Sequence, residues 1–270
     1  MNRFCCIVQA RTRSTRLPGK ILLEPTPGKT YLAHLVERLL RSKRLDMIVL
    51  AIPDGPDDNP LAEYIRQQLF VVDQVGMYRG SEQDVLSRYL GAAVVANAQH
   101  IVRVTSDCPA LHGEDIDRLI EFYEAGDYDL AGREGQPDGL DVEIFTRKAL
   151  EESHAEAHLP SHREHVSQFM LADRNRYKVG PLKGVLGKDL SHLRLTLDHP
   201  QDHEALSLLF TELGHEIPDR PFTDLEAIAW LLLNRDRMSN QAIPASEGLD
   251  KSRQEDVQYL ANRQGSTPTW

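Results

Sequence analysis

The sequence predicts an α/β fold, a mainly parallel sheet with helices on both faces. Three observations predict it. Short apolar runs such as FCCIV (4–8) and MIVLAI (47–52) are typical of strands buried on both faces. Amphipathic stretches follow them: TYLAHLVERLLRSKR (30–44) repeats Leu32, Leu35, Val36, Leu39 and Leu40 with a helical period and ends in cations, which suits a helix C-terminus. The two kinds alternate over the first two-thirds of the chain, the βαβ rhythm of a parallel sheet.

Element by element, the turn-rich PDGPDDNP (53–60) leads to a helix starting at Pro60, with Asn59 as its expected cap. FVV (70–72) reads as a short strand. SEQDVLSRYLGAAVVANA (81–98) reads as a helix capped by its serine, and HIVRVT (100–105) as a central strand. A helix near Asp115–Tyr123, a strand near Leu130 and the alternating strand DVEIF (141–145) follow. From Arg147 the rhythm loosens into a His-rich helical region reaching Arg174, then a strand near Tyr177, another at LRLTL (193–197), and helices over 201–213 and 223–236. Beyond Met238 the chain turns polar, and residues 240–270 read as a mobile tail or an arm that folds on a partner.

The net charge of −10 argues against broad binding to nucleic acid or to a membrane surface, and no apolar run approaches the ~20 residues of a membrane span. Three cysteines, two adjacent in the first strand, give no disulfide framework, so a reducing cytoplasm is expected. The N-terminus enters a strand at once and shows no signal peptide.

Against this acidic background QARTRSTRLPGK (9–20) is an exception. It holds Arg11, Arg13, Arg16 and Lys20 and no carboxylate, directly after the first strand. Ligands of open α/β sheets bind at the carboxyl ends of strands, and guanidinium groups bind phosphate oxygens bidentately, so the loop suits an anion. PGKT (27–30) imitates the end of a P-loop, but that motif requires a glycine where Leu23 stands, and Pro25 and Pro27 remove backbone donors.

ARTRSTRLPGK resembles the nucleotide-binding signature of the CMP-sugar synthetases, above all the SpsF-type cytidylyltransferases and their CMP-Kdo and CMP-sialic acid synthetase relatives. Ala10, Arg11, Ser14, Thr15, Arg16, Leu17, Pro18, Gly19 and Lys20 match the pattern. The resemblance covers roughly residues 3–210 and implies a Rossmann-like nucleotidyltransferase fold, GT-A-like, with a catalytic domain over 1–215, a helical extension over 216–239 and the tail beyond. It also implies a homodimer. By resemblance the loop wraps the triphosphate of CTP, and Arg11, Arg16 and Lys20 neutralise charge as pyrophosphate leaves. Lys20 is expected as an exposed loop cation.

VRVTSDCPAL (102–111) ends a strand in Asp107, at the sheet edge where the basic loop emerges. A hard oxygen ligand beside a triphosphate suits Mg²⁺, which takes one or two carboxylates, and the matching aspartate of the family binds Mg²⁺. LRLTLDHPQDHEAL (193–206) repeats the arrangement with Asp198, the second Mg²⁺ ligand by resemblance; Asp202 stays open between the metal and the helix dipole. Cys108 is expected to pack. RGSEQDVLSRY (79–89) resembles the segment under the nucleotide, with Gly80 and Ser81 facing ribose or base. DGLDVEIF (138–145) and HREHV (162–166) recur in the SpsF-like group in the half that shapes the acceptor site. The first offers Asp138, Asp141 and Glu143 and the second His162, Arg163, Glu164 and His165; of these, Asp141, Glu143, His162, Arg163 and His165 are expected at an anionic acceptor. Histidines at 154, 158, 162 and 165 have helical spacing, yet HREH is neither zinc-protease motif and no cysteine accompanies it.

The expected reaction is CMP transfer from CTP to an acidic sugar or phosphorylated acceptor, with pyrophosphate released. A nucleotide-sugar glycosyltransferase would carry D-x-D where SDC (106–108) stands. A non-catalytic nucleotide-binding protein would lack Lys20 or one of the carboxylates.

Overall fold

The computed structural model describes residues 3–70, 72–184, 186–243 and 247–264. Seven strands form one sheet: β1 (Phe4–Gln9), β2 (Met47–Pro53), β3 (Val75–Gly80), β4 (His100–Thr105), β5 (Leu130–Glu134), β6 (Glu143–Thr146) and β7 (Val179–Lys183). Their order is β3-β2-β1-β4-β6-β5-β7, all parallel except β6, which runs antiparallel to both neighbours. The helices are α1 (Tyr31–Leu39), α2 (Asn59–Tyr64), α3 (Val85–Val95), α4 (Gly113–Gly126), α5 (Arg147–Glu156), α6 (Pro160–Glu164), α7 (Gln168–Ala172), α8 (Pro200–Glu216), α9 (Asp224–Asn234) and α10 (Glu247–Gln264).

β1 and β2 are apolar on both faces because both faces are covered. Cys6, Val8, Ile48 and Leu50 pack in one core with α1, α4, α8 and α9, while Cys5, Ile7, Val49 and Ala51 pack in the other with α3, α5 and α7. Tyr89 of α3 bolts the central pair together, its buried hydroxyl donating to Ile7 O at 3.2 Å and Val104 O at 3.1 Å. All three cysteines are free and buried, and burial pushes the Cys108 thiol well above its ordinary value, as suits a packing residue.

Several elements differ from the sequence reading. The strand expected at FVV forms at Val75–Gly80, where its register with β2 begins at Ile48; residue 71 lies outside the described residues. Asp58, not Asn59, precedes α2, and Asp84, not Ser81, caps α3 by accepting from Ser87 N at 2.9 Å. The His-rich region is three short helices, because Ala157 and Leu159 turn to extended backbone and Pro160 starts anew. LRLTL is extended but belongs to no named strand: its amides bond to loop carbonyls, Leu197 N to Asp107 O at 2.8 Å and Leu195 N to Asp138 O at 2.6 Å. Gly139 permits this approach. Its φ is +98°, and a Cβ there would lie 2.3 Å from the Leu195–Thr196 backbone.

α9 shares the core of the sheet through Ala227, Ile228 and Leu231. Where a polar tail was read, residues 247–264 form α10, which lies on α6. Ser161 donates to Asp256 from its backbone N at 2.9 Å and its Oγ at 2.6 Å, and Ser252 donates to Glu164 at 2.8 Å. Residues 265–270 lie outside the described residues. Among the described residues no helix is long and apolar enough to cross a membrane.

Candidate active site

The loop after β1 is folded back on itself and tied to the loop after β2. Gly19, at φ +68°, turns the chain so that its N–H donates to Thr12 O at 3.0 Å. Buried Asp58 accepts from Thr12 N at 2.8 Å and Thr12 Oγ1 at 2.9 Å. Arg13 turns outward to pair with Asp57. Arg11 stays exposed with no partner among the described residues.

Lys20 is buried, contrary to the exposed cation expected from its loop position, because the loop closes over the ends of β1 and β4. Its Nζ lies 2.6 Å from Asp198 Oδ1 and 3.1 Å from Asp107 Oδ2, and Arg16 lies 3.1 Å from Asp198 Oδ2. Burial works against the Lys20 charge, but the two carboxylates outweigh it and raise its pKa. Burial likewise raises the Asp107 carboxyl, but Lys20 and Thr105 outweigh it and hold the group below its ordinary range.

The two aspartates therefore reach one shared cation position. Mg²⁺ needs one or two carboxylates with room for other oxygen ligands, so the pair fits a divalent cation whenever the Lys20 ammonium swings aside.

Asp202 is fully buried and its oxygens are engaged. It accepts from Arg194 at 2.8 and 2.9 Å, Asp198 N at 2.9 Å, His199 N at 2.8 Å and Asn240 at 2.9 Å. Burial raises its carboxyl, but these bonds outweigh burial and keep it ionised. It shapes the turn that presents Asp198 and has no lone pair left for a metal.

Two cavities meet at this cluster. One, of about 350 Å³, is lined by Ala10, Arg11, Ser14, Thr15, Arg16 and Lys20, joined by Val85 and Arg88 of α3. The other, of about 530 Å³, lies over β5–β7 and includes Asp138, Asp141, Glu143 and His165. Asp107, Asp198, Arg16 and His165 line both. Burial, reinforced by the neighbouring Asp141 charge, raises the Asp138 carboxyl to about 7 despite its 3.0 Å bond from Arg194. Asp141 is raised by burial as well, against the opposing Gly139 N–H and the charges of Arg133 and Arg103.

Five expected site residues are not brought to the cavities. Arg163 is spent on holding α6, pairing with Asp84 and donating to His154 O at 2.9 Å. His162 packs edge-on against Phe169 with ring centroids 5.7 Å apart. Gly80 ends β3 beside Tyr78 and Arg88, and Ser81 accepts from Asp84 N at 3.0 Å, so neither lines a cavity. Leu17 packs on the core instead. Sequence reasoning missed Asp58, Arg88, Arg103 and Arg194. Only Arg103, a charge inside an otherwise apolar central strand, carried a usable signal.

The fold and the strand-edge site define a nucleotidyltransferase-type α/β protein. The model of the cytidylyltransferase family matches residues 5–195, and the chain belongs to that family. The spore coat polysaccharide biosynthesis protein SpsF of Bacillus subtilis is 31% identical over 87% of this chain and 95% of its own length. A cytidylyltransferase structure from Leptospira borgpetersenii superposes with a TM-score of 0.79 at 29% identity, covering 90% of this chain and all of that one. A CMP-2-keto-3-deoxy-manno-octonic acid synthetase complexed with CTP shares the fold, with a TM-score of 0.58 at 16% identity over 78% of this chain and all of its own.

Proposed function

We propose that the protein transfers CMP from CTP to an anionic sugar or phosphorylated acceptor and releases pyrophosphate, as a step in surface polysaccharide biosynthesis. The observation that carries this reading is the Lys20 ammonium shared by Asp107 and Asp198, beside Arg16, at the meeting of two cavities. Family membership and the likeness to SpsF support the cytidine donor and the polysaccharide setting.

In this reading the 350 Å³ cavity takes CTP, with its triphosphate along Ala10–Arg16 and Lys20. Arg11, unpartnered and exposed, binds a terminal phosphate, and Arg16 exchanges Asp198 for phosphate oxygens. Asp107 and Asp198 would hold Mg²⁺, which would supply neutralisation of the phosphate charge. Lys20 then turns to the leaving pyrophosphate. The acceptor lies in the 530 Å³ cavity, where Asp141, Glu143 and His165 can accept or donate hydrogen bonds to it. An acceptor oxygen forms the new bond to the α-phosphorus as the bond to the bridging oxygen breaks, and the proton of a hydroxyl acceptor passes to solvent. Catalysis of this kind is positioning and electrostatics, so no nucleophilic side chain is required.

Thermal stabilisation by CTP, UTP, ATP and GTP, each with and without Mg²⁺, tests the reading. A ligand specific for the folded state at a hundredfold excess over its dissociation constant contributes about 2.7 kcal/mol. A shift selective for CTP and enlarged by Mg²⁺ is expected; equal shifts with all four nucleotides would overturn the cytidine donor.

A further inference from the structure

Of the residues lining both cavities, Arg16 and Arg103 are the arginines. Arg16 is already paired with Asp198. Arg103 is engaged differently. It sits in the middle of β4, in register with Ile7 on one side and Glu143 on the other. One terminal nitrogen, NH1, donates to Glu143 Oε2 at 2.9 Å. The other, NH2, has no partner among the described residues, and Nε is buried without one. A part-buried guanidinium with a buried, unbonded Nε and a free NH2 calls for an explanation.

Its anchor is itself fixed. The second oxygen of Glu143 accepts from Ser167 Oγ at 2.9 Å, and Ser167 is buried. Ser167 follows Val166, a β-branched residue at φ +48°, a backbone region that such residues rarely enter. Glu143 cannot rotate without losing one of its bonds, so the NH1 end of Arg103 is held in place before any ligand arrives. Burial works against the Arg103 charge, but the Glu143 carboxylate outweighs it.

We propose that Arg103 is a catalytic residue whose free NH2 binds the phosphate being transferred. This rests on the CMP-transfer reading. In that reaction the α-phosphate is the group bonded to the donor at the start and to the acceptor at the end, so it must be met where the cavities join. The terminal phosphates fall to Arg11, Arg16 and Lys20 on the loop. An acceptor anion lying wholly within the larger cavity would not call for a cation shared with the smaller one. As the acceptor oxygen bonds to the α-phosphorus and the pyrophosphate oxygen departs, the non-bridging oxygens of that phosphate keep their charge, and a fixed guanidinium stabilises it throughout.

The test compares CMP with cytidine, which differ only by this phosphate, in calorimetric titrations of the full-length protein. Wild type is expected to bind CMP at least tenfold more tightly than cytidine. Arg103→Gln should bind the two alike while its cytidine affinity stays within about twofold of wild type. Arg103→Lys keeps the charge but loses the second terminal nitrogen. It carries the same expectation and serves if Arg103→Gln does not fold. Retention of the full CMP preference in a folded variant would overturn the proposal. So would a wild-type protein that binds CTP yet shows no preference for CMP over cytidine. If wild type binds neither CTP nor CMP, the CMP-transfer reading itself fails.

Discussion

Two stretches of this chain are rich in basic side chains, the loop at 11–20 and the histidine-bearing segment at 154–165, and the fold treats them in opposite ways. The loop is drawn over the ends of β1 and β4, so Arg16 and Lys20 converge on Asp107 and Asp198 from distant parts of the chain. The second segment breaks into α5 and α6, which scatters its side chains: His158 is exposed, His162 packs on Phe169, and only His165 reaches the cavities. Among the described residues no group of three or more His, Cys, Asp or Glu side chains is arranged to hold a metal. Spacing along a sequence becomes a site only when backbone geometry aims the groups at one volume, and the Asp58 anchor supplies that for the loop.

The contrast can be broken by substitution. The largest expected effect is structural. Asp202→Ala strips Arg194 of its buried partner and should cost about 3–5 kcal/mol in urea unfolding, collapsing the turn that presents Asp198 to the loop. Lys20→Gln should lower the rate of pyrophosphate release about 10²–10³-fold, the loss typical when one charge-stabilising donor is removed. A rate within tenfold of wild type would deny the loop its role. Arg163→Ala should cost on the order of 1 kcal/mol, since its pair with Asp84 is partly solvated, and should leave CTP affinity unchanged. A fall in CTP affinity with stability intact would place Arg163 in the site after all.

The smallest effect is a titration. Burial lowers the pKa of His162 below its ordinary 6.5. The folded state then binds fewer protons here than the unfolded chain, so this group's contribution to stability falls as pH drops below about 6.5. An NMR titration placing His162 at or above 6.5 would contradict its packing role.

Most of the sheet was legible in the sequence because β1, β2 and β4 are buried on both faces and announce themselves as apolar runs. FVV and LRLTL misled for the same reason in reverse. Both are apolar and β-branched or leucine-rich, but the pairing partners that define a strand lie elsewhere in the chain, and LRLTL spends its amides on loop carbonyls. In the site, Arg11, Arg16, Lys20 and Asp107 stand out because they lie in the segments that leave strand ends, and Asp198 because it closes an apolar run. Asp58 and Arg194 do not. Their importance comes from loops that meet only in three dimensions, and no local pattern marks an aspartate that will anchor a loop from the neighbouring crossover.

The reversed strand β6 has a mechanical consequence. The parallel strands offer the site the residues at which they end, whereas β6 offers the residue at which it begins, Glu143, opposite Arg103. Side chains alternate faces along a strand, so a shift of a single position would exchange Glu143 for Val142 or Ile144 and turn the carboxylate away from its arginine. From Asp141 to Thr146 the chain works as a ruler whose zero mark is the ion pair at the floor of the site.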